Sequence, residues 1–439
     1  MTLPRYLRYK PTGPAWLGDV PEHWEVKPLW TLYRRIKRIG HAGEELLSVY
    51  RDHGVVPKAS RDDNNNKASE DLAAYQLVEP GDLVLNKMKA WQGSVAVSAH
   101  RGIVSPAYFV YKSLHTEDSR YLHYLMRSAR YITGYLSLSK GIRVNQWDLE
   151  PEYHSRMPVL LPPRAEQEAI SAFLDRETAK IDSLIVEQEK LIALLAEKRQ
   201  AAISHAVTKG LDPKVPMKDS GIAWLGHIPA HWEMKRVKDC GCEVVDCKNR
   251  TPEPHDDGDY FVVRTSCVKD GRFDPEPGYK TNEANFIEWT AKGRPQAGDV
   301  LFTREAPTGE ACLAPEGLDF CLGQRMMYIR PPKHVLLSEF LLFSIYGGLA
   351  RERISEKSKG STVGHLRVGE VGELPLLLPP LDEQRALVDF VGTELSRLES
   401  LAAEAERAIA LMKERRGALI TAAVTGQVDV RNEIFGAMP

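Results

Sequence analysis

The chain has 439 residues, 43% of them hydrophobic and 27% charged, which suits a folded protein with two to four domains and excludes an intrinsically disordered one. Its net formal charge of −2 does not by itself indicate a strongly basic, nucleic-acid-binding protein. No apolar run reaches the roughly 18 residues of a membrane span and the N-terminal sequence lacks a signal-peptide core, so we expect a cytoplasmic protein.

The first recognisable element in chain order is a lead-in segment, residues 12–26, which recurs at residues 220–234. Nine of its fifteen positions are identical, including a Trp-Leu-Gly run and a His-Trp-Glu run in both copies. We expect the two tryptophans of each copy to anchor an irregular segment against its domain. No nucleophile or second acid recurs beside the histidine in both copies, so a catalytic histidine is disfavoured.

A region of short strand-like runs and turns follows each lead-in, which predicts two mixed α/β domains. A Gly-Asp turn occurs in both, at Gly81-Asp82 and again 217 residues later at Gly298-Asp299. A helical segment then leads to a Lys-Gly pair in each copy; the predicted helices are residues 119–136 and 338–354. Between these anchors the two domains share little sequence, as expected if each recognises a different target.

Each domain is closed by a Leu-Pro-Pro run that precedes a helix of roughly 40 residues, about 60 Å long at about 1.5 Å per residue. Apolar residues recur every 3.5 positions along both helices, which indicates a narrow seam that needs a partner. In the first helix this seam is Ile170, Leu174, Glu177, Ile181, Leu184, Gln188, Leu191, Leu195, Lys198 and Ala202. In the second it is Leu387, Val391, Glu394, Leu398, Leu401, Ala405, Ala408, Met412, Arg415 and Leu419.

The polar breaks in the two seams predict how the helices pair. We expect the helices to run antiparallel as a coiled coil, with ion pairs between Glu177 and Arg415 and between Lys198 and Glu394 that help to set the register. The alternative is that each helix packs only across its own domain.

The order of these elements is cyclic, since joining the chain ends would give two equal units of lead-in, domain and long helix. The predicted fold is therefore α+β, with two α/β domains separated by two long antiparallel coiled-coil helices and a pseudo-two-fold from internal duplication. The predicted segments are a first domain (1–163), a first spacer helix (164–210), a second domain (211–380), a second spacer helix (381–426) and a C-terminal tail (427–439).

Motifs that would indicate catalysis are missing from the sequence. It contains no phosphate-binding loop, dinucleotide fingerprint, zinc-protease motif or nucleophile elbow, and no adenine-methyltransferase motif. Its six cysteines do not form paired C-x-x-C knuckles, which favours buried reduced thiols over a zinc site. We therefore expect no catalytic residue, no metal site and no cofactor in this chain.

With catalysis disfavoured, the remaining function is recognition of another molecule. Polar or basic residues in the loops of both domains are candidates for its contacts. Residues 1–163 carry 22 basic and 17 acidic side chains, whereas residues 211–380 carry 22 and 25. Arginine and lysine can contact guanine or phosphate, and asparagine and glutamine can pair with adenine. The candidates in the first domain are Asn64, Asn65, Lys67, Lys87, Lys89, Gln92, Lys140, Arg143 and Asn145. Those in the second are Lys248, Arg250, Arg304, Gln324, Arg325, Lys359, Thr362 and Arg367.

The lead-in, the Leu-Pro-Pro-x-x-Glu-Gln helix start, the duplicated long helix and the two dissimilar domains together resemble the specificity subunit of type I restriction-modification systems. The resemblance implies a non-catalytic DNA-recognition subunit whose two domains each read one half of a bipartite site, with the helices fixing the spacer. It also implies binding to double-stranded DNA, to two methyltransferase subunits and to restriction (motor) subunits. S-adenosylmethionine, ATP and Mg²⁺ would then be bound by those partners. The alternative is a non-catalytic coiled-coil scaffold that joins two protein-binding domains.

Overall fold

The structure, a computed structural model, describes residues 3–51, 53–61, 69, 71–143, 146–359 and 365–433. Its internal contacts divide the chain into two compact units, residues 1–188 with 407–439 and residues 189–406. Both divisions fall inside the two long helices, Arg164–Lys209 and Leu381–Val424, so each unit holds one α/β domain and a part of each helix.

The first unit is built mainly from short antiparallel strands. Its shorter helices are Ser119–Arg127, Ala129–Ser137 and Pro151–Ser155. Its strands are Tyr9–Pro11, Asp19–Pro21, Glu25–Pro28, Tyr33–Ile36, Leu47–Tyr50, Gly54–Pro57, Gln76–Val78, Leu83–Asn86, Val95–Val97, Gly102–Val104, Tyr108–Ser113, Ser139–Arg143, Gln146–Leu149 and Pro158–Leu161.

The second unit has a comparable set of elements. Its shorter helices are Glu283–Trp289, Ser338–Tyr346, Gly348–Lys359 and Val368–Gly372. Its strands are Met217–Asp219, His227–Pro229, Glu233–Arg236, Glu243–Asp246, Tyr260–Val263, Val268–Lys269, Arg272–Phe273, Tyr279–Thr281, Val300–Thr303, Ala311–Leu313, Phe320–Leu322, Met326–Arg330 and Pro375–Leu378.

A four-stranded antiparallel sheet with the same strand order forms the centre of each domain, which confirms the internal duplication. In the first unit the order is Tyr33–Ile36, Tyr108–Ser113, Leu83–Asn86 and Val95–Val97. In the second it is Glu243–Asp246, Met326–Arg330, Val300–Thr303 and Ala311–Leu313.

The duplicated Gly-Asp turn leads directly into the central strands Leu83–Asn86 and Val300–Thr303. In both copies its aspartate accepts from a backbone amide and from an arginine, although the two arginines do not occupy equivalent positions in the fold. Asp82 is buried, and its carboxylate accepts from the backbone amide of Glu79 at 2.9 Å and from Arg38 at 2.7 Å. Asp299 accepts from the amide of Gln296 at 2.7 Å and from Arg330 at 2.8 Å and 2.7 Å. The aspartate is therefore a buried turn cap, which explains why this dipeptide recurs.

The helical segment that follows is split in both copies, unlike the single helix predicted from the sequence. In the first unit the break is at Ser128, whose backbone is extended (φ −67°, ψ 153°). In the second it is at Gly347 (φ −125°, ψ 161°). Both breaks start a second helix in a new direction, so that apolar residues of both helices in a pair reach one core.

Glu166, the glutamate of the first Leu-Pro-Pro-x-x-Glu-Gln motif, anchors the lead-in. This carboxylate is 5% exposed and accepts from the Tyr6 hydroxyl at 2.5 Å, from His23 Nε2 at 2.8 Å and from Trp24 Nε1 at 2.9 Å. The second copy keeps only part of this arrangement, since His231 lies 2.7 Å from Glu383. Hence the lead-in and helix-start motifs form one structural joint, and the histidines in it are structural.

The motif's glutamine joins the same helix start to the domain. Gln167 is fully buried; its side-chain amide donates to the Pro162 carbonyl and its oxygen accepts from the amide of Asp118, the residue that caps helix Ser119–Arg127. Gln384 does the same with the Pro379 carbonyl and the amide of Leu337, which caps helix Ser338–Tyr346. All four distances are 2.9 Å, so the two joints are equivalent.

The long helices run antiparallel within each unit. In the first unit Leu174 shares a core with Ile420, and Asp182 pairs with Arg416 at 2.9 Å. In the second unit the core of the helix pair is formed by Ile203, Val207, Leu387 and Val391, while Lys198 Nζ lies 3.4 Å from Glu394 Oε1. Higher numbers on one helix therefore face lower numbers on the other.

The predicted seam is confirmed where its residues are buried, at Ile170, Leu174, Ile181, Leu195, Leu387, Val391, Leu398 and Ala405. Between these positions the observed seam differs in phase from the predicted one. Leu184 and Leu191 are 54% and 41% exposed, whereas the neighbouring Ile185 is only 8% exposed. On the second helix Leu401 is 39% exposed. A period of 3.5 allows steps of four then three as well as three then four, and the sequence pattern alone does not choose between them.

This shift in phase also removes one of the two predicted ion pairs. Glu177 accepts from Lys180 at 2.9 Å and from Arg176 at 3.0 Å, both on its own helix. Because Asp182 faces Arg416, a residue five positions earlier faces the region near 421, more than a turn beyond Arg415. Within the described residues Arg415 makes no ion pair, and the prediction of a Glu177–Arg415 pair is wrong.

Candidate nucleic-acid interface

Two loops at one edge of the central sheet come together in the first unit. The Leu149 amide donates to the Lys87 carbonyl at 3.2 Å, and the rings of Trp91 and Trp147 lie 6.3 Å apart between centroids. The loop after Leu83–Asn86 therefore meets the hairpin that carries Lys140. The sequence predicted these two loops separately as recognition loops, and the fold brings them side by side.

The predicted contact residues of this edge are mostly free to meet a ligand. Lys89 and Gln92 are exposed and Lys87 is half-buried, and within the described residues no carboxylate pairs with either lysine. Lys140 is exposed and lies 2.6 Å from Glu150, which raises the pKa of this lysine. Asn64, Asn65, Lys67 and Asn145 lie outside the described residues, as does the side chain of Arg143.

The corresponding edge of the second unit is also a junction of two loops. The Leu366 amide donates to the Arg304 carbonyl at 3.2 Å, and Glu305 and His365 form an antiparallel bridge. Lys359 lies in the preceding helix, but its side chain and all of Thr362 are outside the described residues. Arg367 is exposed and precedes the short helix Val368–Gly372.

Arg304 does not fit the predicted role of a DNA contact. Its side chain is only 12% exposed, and Nη1 donates to both carboxylate oxygens of Asp246, at 2.7 Å and 2.6 Å. A partly buried ion pair of this kind is costly to open because both charges would lose their partner. Arg304 therefore holds the loop to strand Glu243–Asp246, and no local pattern in the sequence points to this distant partner.

Arg325 occupies the rim of the same junction in a constrained conformation. Its backbone is left-handed (φ 73°), its side chain is 47% exposed, and Nε lies 3.1 Å from Glu305. The other oxygen of Glu305 contacts His365 Nδ1. Non-glycine residues with positive φ are uncommon and occur often at functional sites, and Arg325 is one of three among the described residues of this chain.

Two further cationic side chains lie against the helix Glu283–Trp289. Lys248 and Arg250 lie over the ring of Trp289, at 5.1 Å and 4.9 Å from its centroid, and both contact Glu288. These contacts hold the pKa of the Glu288 carboxyl below its ordinary value, with the hydrogen bond from Lys248 as the largest cause. Cations stacked in this way present a fixed positive edge to a phosphate backbone.

Gln324 connects this cationic pair to the junction. Its backbone amide donates to Thr251 Oγ1 at 3.3 Å, and its side chain is exposed beside Arg325. The second unit thus brings together five of its predicted residues, Lys248, Arg250, Gln324, Arg325 and Arg367. The orienting carboxylates Glu288 and Glu305 were not identified from the sequence, because acidic residues in a recognition loop give no signal until their partners are known.

The cysteine thiols of the chain are unpaired and mostly buried. All six cysteines are unpaired, five are buried, and burial raises the pKa of Cys242, Cys312 and Cys321 to about 12. Such thiols are neither nucleophiles nor ready metal ligands at neutral pH. Among the described residues no helix is both long and apolar enough to cross a bilayer.

Comparison with known proteins shows which proteins this chain is similar to. Residues 229–406 match the family model of the type I restriction modification DNA specificity domain. The chain is 22% identical over 446 residues to the EcoKI specificity subunit of Escherichia coli K12, covering 94% of this chain and 90% of that protein. It is 24% identical to the MjaVIII specificity subunit of Methanocaldococcus jannaschii, with 95% of each chain covered.

Solved structures agree with the fold. A chain from a structural study of complex assembly and conformational transition of the type I restriction-modification system superposes with a TM-score of 0.69 at 16% identity, covering 93% of this chain and 99% of that one. The HsdS subunit from Thermoanaerobacter tengcongensis superposes with a TM-score of 0.50 at 17% identity, with 93% and 98% covered. At these identities the superpositions establish a shared fold.

Proposed function

We propose, from the premise that this chain belongs to the specificity subunits of type I restriction-modification systems, that each of its two domains reads one half of a bipartite DNA site. The chain is thus the DNA-recognition subunit of its complex. The DNA specificity match favours this function over a protein-binding scaffold.

The observation that carries the proposal is the pair of equivalent loop junctions with different side chains. The first presents Lys87, Lys89 and Gln92, and the second presents Gln324 and Arg325. Because the two domains share the same sheet topology, the two sets of side chains lie at the same edge of their sheets. Their different side chains offer different hydrogen-bonding groups to base edges. Two such surfaces in one chain suit a target made of two unlike halves.

The charge of the chain supports a division of labour with partner subunits. Residues 211–380 carry 22 basic and 25 acidic side chains, so this domain supplies base contacts better than it neutralises phosphates. We propose that methyltransferase subunits supply much of the phosphate contact and bind S-adenosylmethionine, and that motor subunits bind ATP and Mg²⁺. Catalysis would then belong to the partners, and the chain would act in the cytoplasm, where the DNA is.

The long helices offer surface for these partners. Large apolar side chains point to solvent on both of them; those most exposed are Leu184, Val186, Leu194, Phe390 and Leu411. Exposed apolar side chains of this size on a helix are a common feature of subunit interfaces. We propose that the methyltransferase subunits dock on the two helices.

The helices also serve as a spacer, and shortening them tests this role. Deleting residues 186–192 together with 400–406 removes one heptad from each helix and preserves the phase of the seam. About 10 Å is lost, which corresponds to about three base pairs. In cells that express the full complex, we expect the methylated motif to keep both half-site sequences and to change its spacer. An altered half-site sequence with an unchanged spacer would contradict the spacer role.

A further inference from the structure

The loop junction of the first unit is built on two backbone hydrogen bonds that meet at one residue. The amide of Lys87 donates to the Ala107 carbonyl at 3.4 Å, and the Lys87 carbonyl accepts from Leu149 at 3.2 Å. Lys87 directly follows the central strand Leu83–Asn86, and Ala107 directly precedes the neighbouring strand Tyr108–Ser113. Three separate stretches of chain are thereby fixed at the sheet edge.

The second unit repeats both bonds. The amide of Arg304 donates to the Arg325 carbonyl at 2.9 Å, and the Arg304 carbonyl accepts from Leu366 at 3.2 Å. Arg304 follows the central strand Val300–Thr303, and Arg325 precedes the strand Met326–Arg330. Arg325 is therefore the structural counterpart of Ala107, although a comparison of the two sequences does not align an alanine with an arginine.

Ala107 and Arg325 differ in side chain, so this position can give the two domains different specificities. At the same backbone position, one unit has a methyl side chain and the other has a guanidinium. Glu305 and His365 then orient that guanidinium, since Glu305 contacts Arg325 Nε at 3.1 Å and contacts His365 through its other oxygen. With Nε engaged, the two terminal nitrogens remain as a fork of parallel donors on a side chain that is 47% exposed.

A fork of two parallel donors matches the O6 and N7 acceptors of guanine in the major groove, which is the commonest specific contact of arginine with DNA. We propose that Arg325 reads a guanine in the half-site recognised by the second domain, with Glu305 as its positioning residue. This inference rests on the proposed function and names the base that the second junction recognises. It leaves the first junction, with Ala107, without an equivalent guanine contact.

Three other predicted cations of the second unit, Arg304, Lys248 and Arg250, do not fit this role. Arg304 is 12% exposed and bound to both oxygens of Asp246. Lys248 and Arg250 share the Glu288 carboxylate and lie 5.1 Å and 4.9 Å from the centroid of the Trp289 ring, away from the loop junction, which suits a phosphate contact better than a base contact. Among these cations, Arg325 alone combines exposure, an orienting carboxylate and a place at the junction.

The test is made in cells that express the whole complex, with long-read sequencing of adenine methylation. We expect the wild-type motif to contain a guanine in the second half-site, and Arg325→Ala to lower methylation of that motif by about tenfold or more. In this variant, sites with another base at the guanine position should be methylated to the same extent as sites with guanine. The sequence of the first half-site should stay unchanged. Arg325→Lys, a point donor without the fork, should keep part of the preference for guanine.

Two further variants separate reading from positioning and from general binding. Glu305→Gln should lower methylation while the guanine preference is kept, as a positioning residue predicts. Arg250→Ala should lower methylation evenly at all sites, as a phosphate contact predicts. The melting temperature of each purified complex shows whether a loss comes from unfolding.

Three results would overturn the assignment of Arg325: a second half-site without guanine, an unchanged motif in a folded Arg325→Ala complex, or a change confined to the first half-site. A wild-type complex that produces no split motif would instead contradict the proposed function itself.

Discussion

Replacing Glu166 with leucine is expected to lower the free energy of unfolding of the first unit by about 4 kcal/mol, because it leaves two buried donors without an acceptor at about 1–3 kcal/mol each and also removes the bond to His23. The two donors are the Tyr6 hydroxyl and Trp24 Nε1, on residues that are 6% and 0% exposed. Burial, and then the hydrogen bond to Glu166, raises the pKa of Tyr6, so this hydroxyl stays protonated as a donor.

The duplication supplies a matched control in Glu383→Leu. The Glu383 side chain is 28% exposed and contacts His231, while the indole nitrogen of Trp232 is buried without a hydrogen-bond partner among the described residues. Water can replace such an exposed contact, so we expect a loss of about 1 kcal/mol or less.

Hydrogen exchange of the full-length chain measures both effects unit by unit. Peptides from Ser119–Arg127 report on the first unit and peptides from Ser338–Tyr346 on the second. Equal losses in the two variants would show that the contacts with Tyr6 and Trp24 do not hold the first lead-in.

Acid is expected to open the first unit before the second. Burial lowers the pKa of His154 to about 3, and burial, assisted by Arg127, lowers the pKa of His123 to about 4. His154 lies against Tyr111, whose hydroxyl is 3.1 Å from Nδ1, and against the ring of Tyr135. In the described part of the second unit every histidine is exposed.

Because folding lowers the pKa of both histidines, the first unit loses stability as the pH falls. Above pH of about 6.5 these imidazoles are neutral in both the folded and the unfolded chain, so their contribution to stability is complete there. Between about pH 6.5 and 4 the unfolded chain binds protons that the folded chain does not, which removes about 6 kcal/mol from the first unit.

A phenylalanine at position 154 tests the larger of these two contributions. His154→Phe should move the acid midpoint of the first unit to lower pH, as measured by hydrogen exchange between pH 7 and 4. The control is His334→Phe, at an exposed position of the second unit, which should leave that midpoint unchanged. A second unit that opens first would contradict the assignment of the acid sensitivity to buried histidines.

The arrangement of domains and long helices could be predicted from the sequence because its motifs occur in two copies. The Gly-Asp turn recurs at an offset of 217 residues, and in the structure Asp82 and Asp299 cap the same turn. The Glu-Gln pair at each helix start likewise reappears as a joint, in which Gln167 and Gln384 make equivalent bonds. Two copies distinguish a structural requirement from chance in a way that one copy does not.

What could not be predicted depends on contacts between residues that are distant in the chain. The seam fits an alternation of three and four in either order, so Leu184 rather than Ile185 was assigned to it, and Arg415 rather than Arg416 was assigned to the helix interface. Arg304 was indistinguishable from an exposed cation until its partner, Asp246, was known.

Genome-wide adenine methylation, read by long-read sequencing, tests whether this chain provides DNA specificity. Cells that carry this gene and the gene of the proposed methyltransferase partner are compared with cells that lack only this gene. We expect one split motif with a fixed spacer to be methylated in the first cells and to disappear in the second. Methylation of the same motif in both, with an active methyltransferase present, would show that another protein provides the specificity.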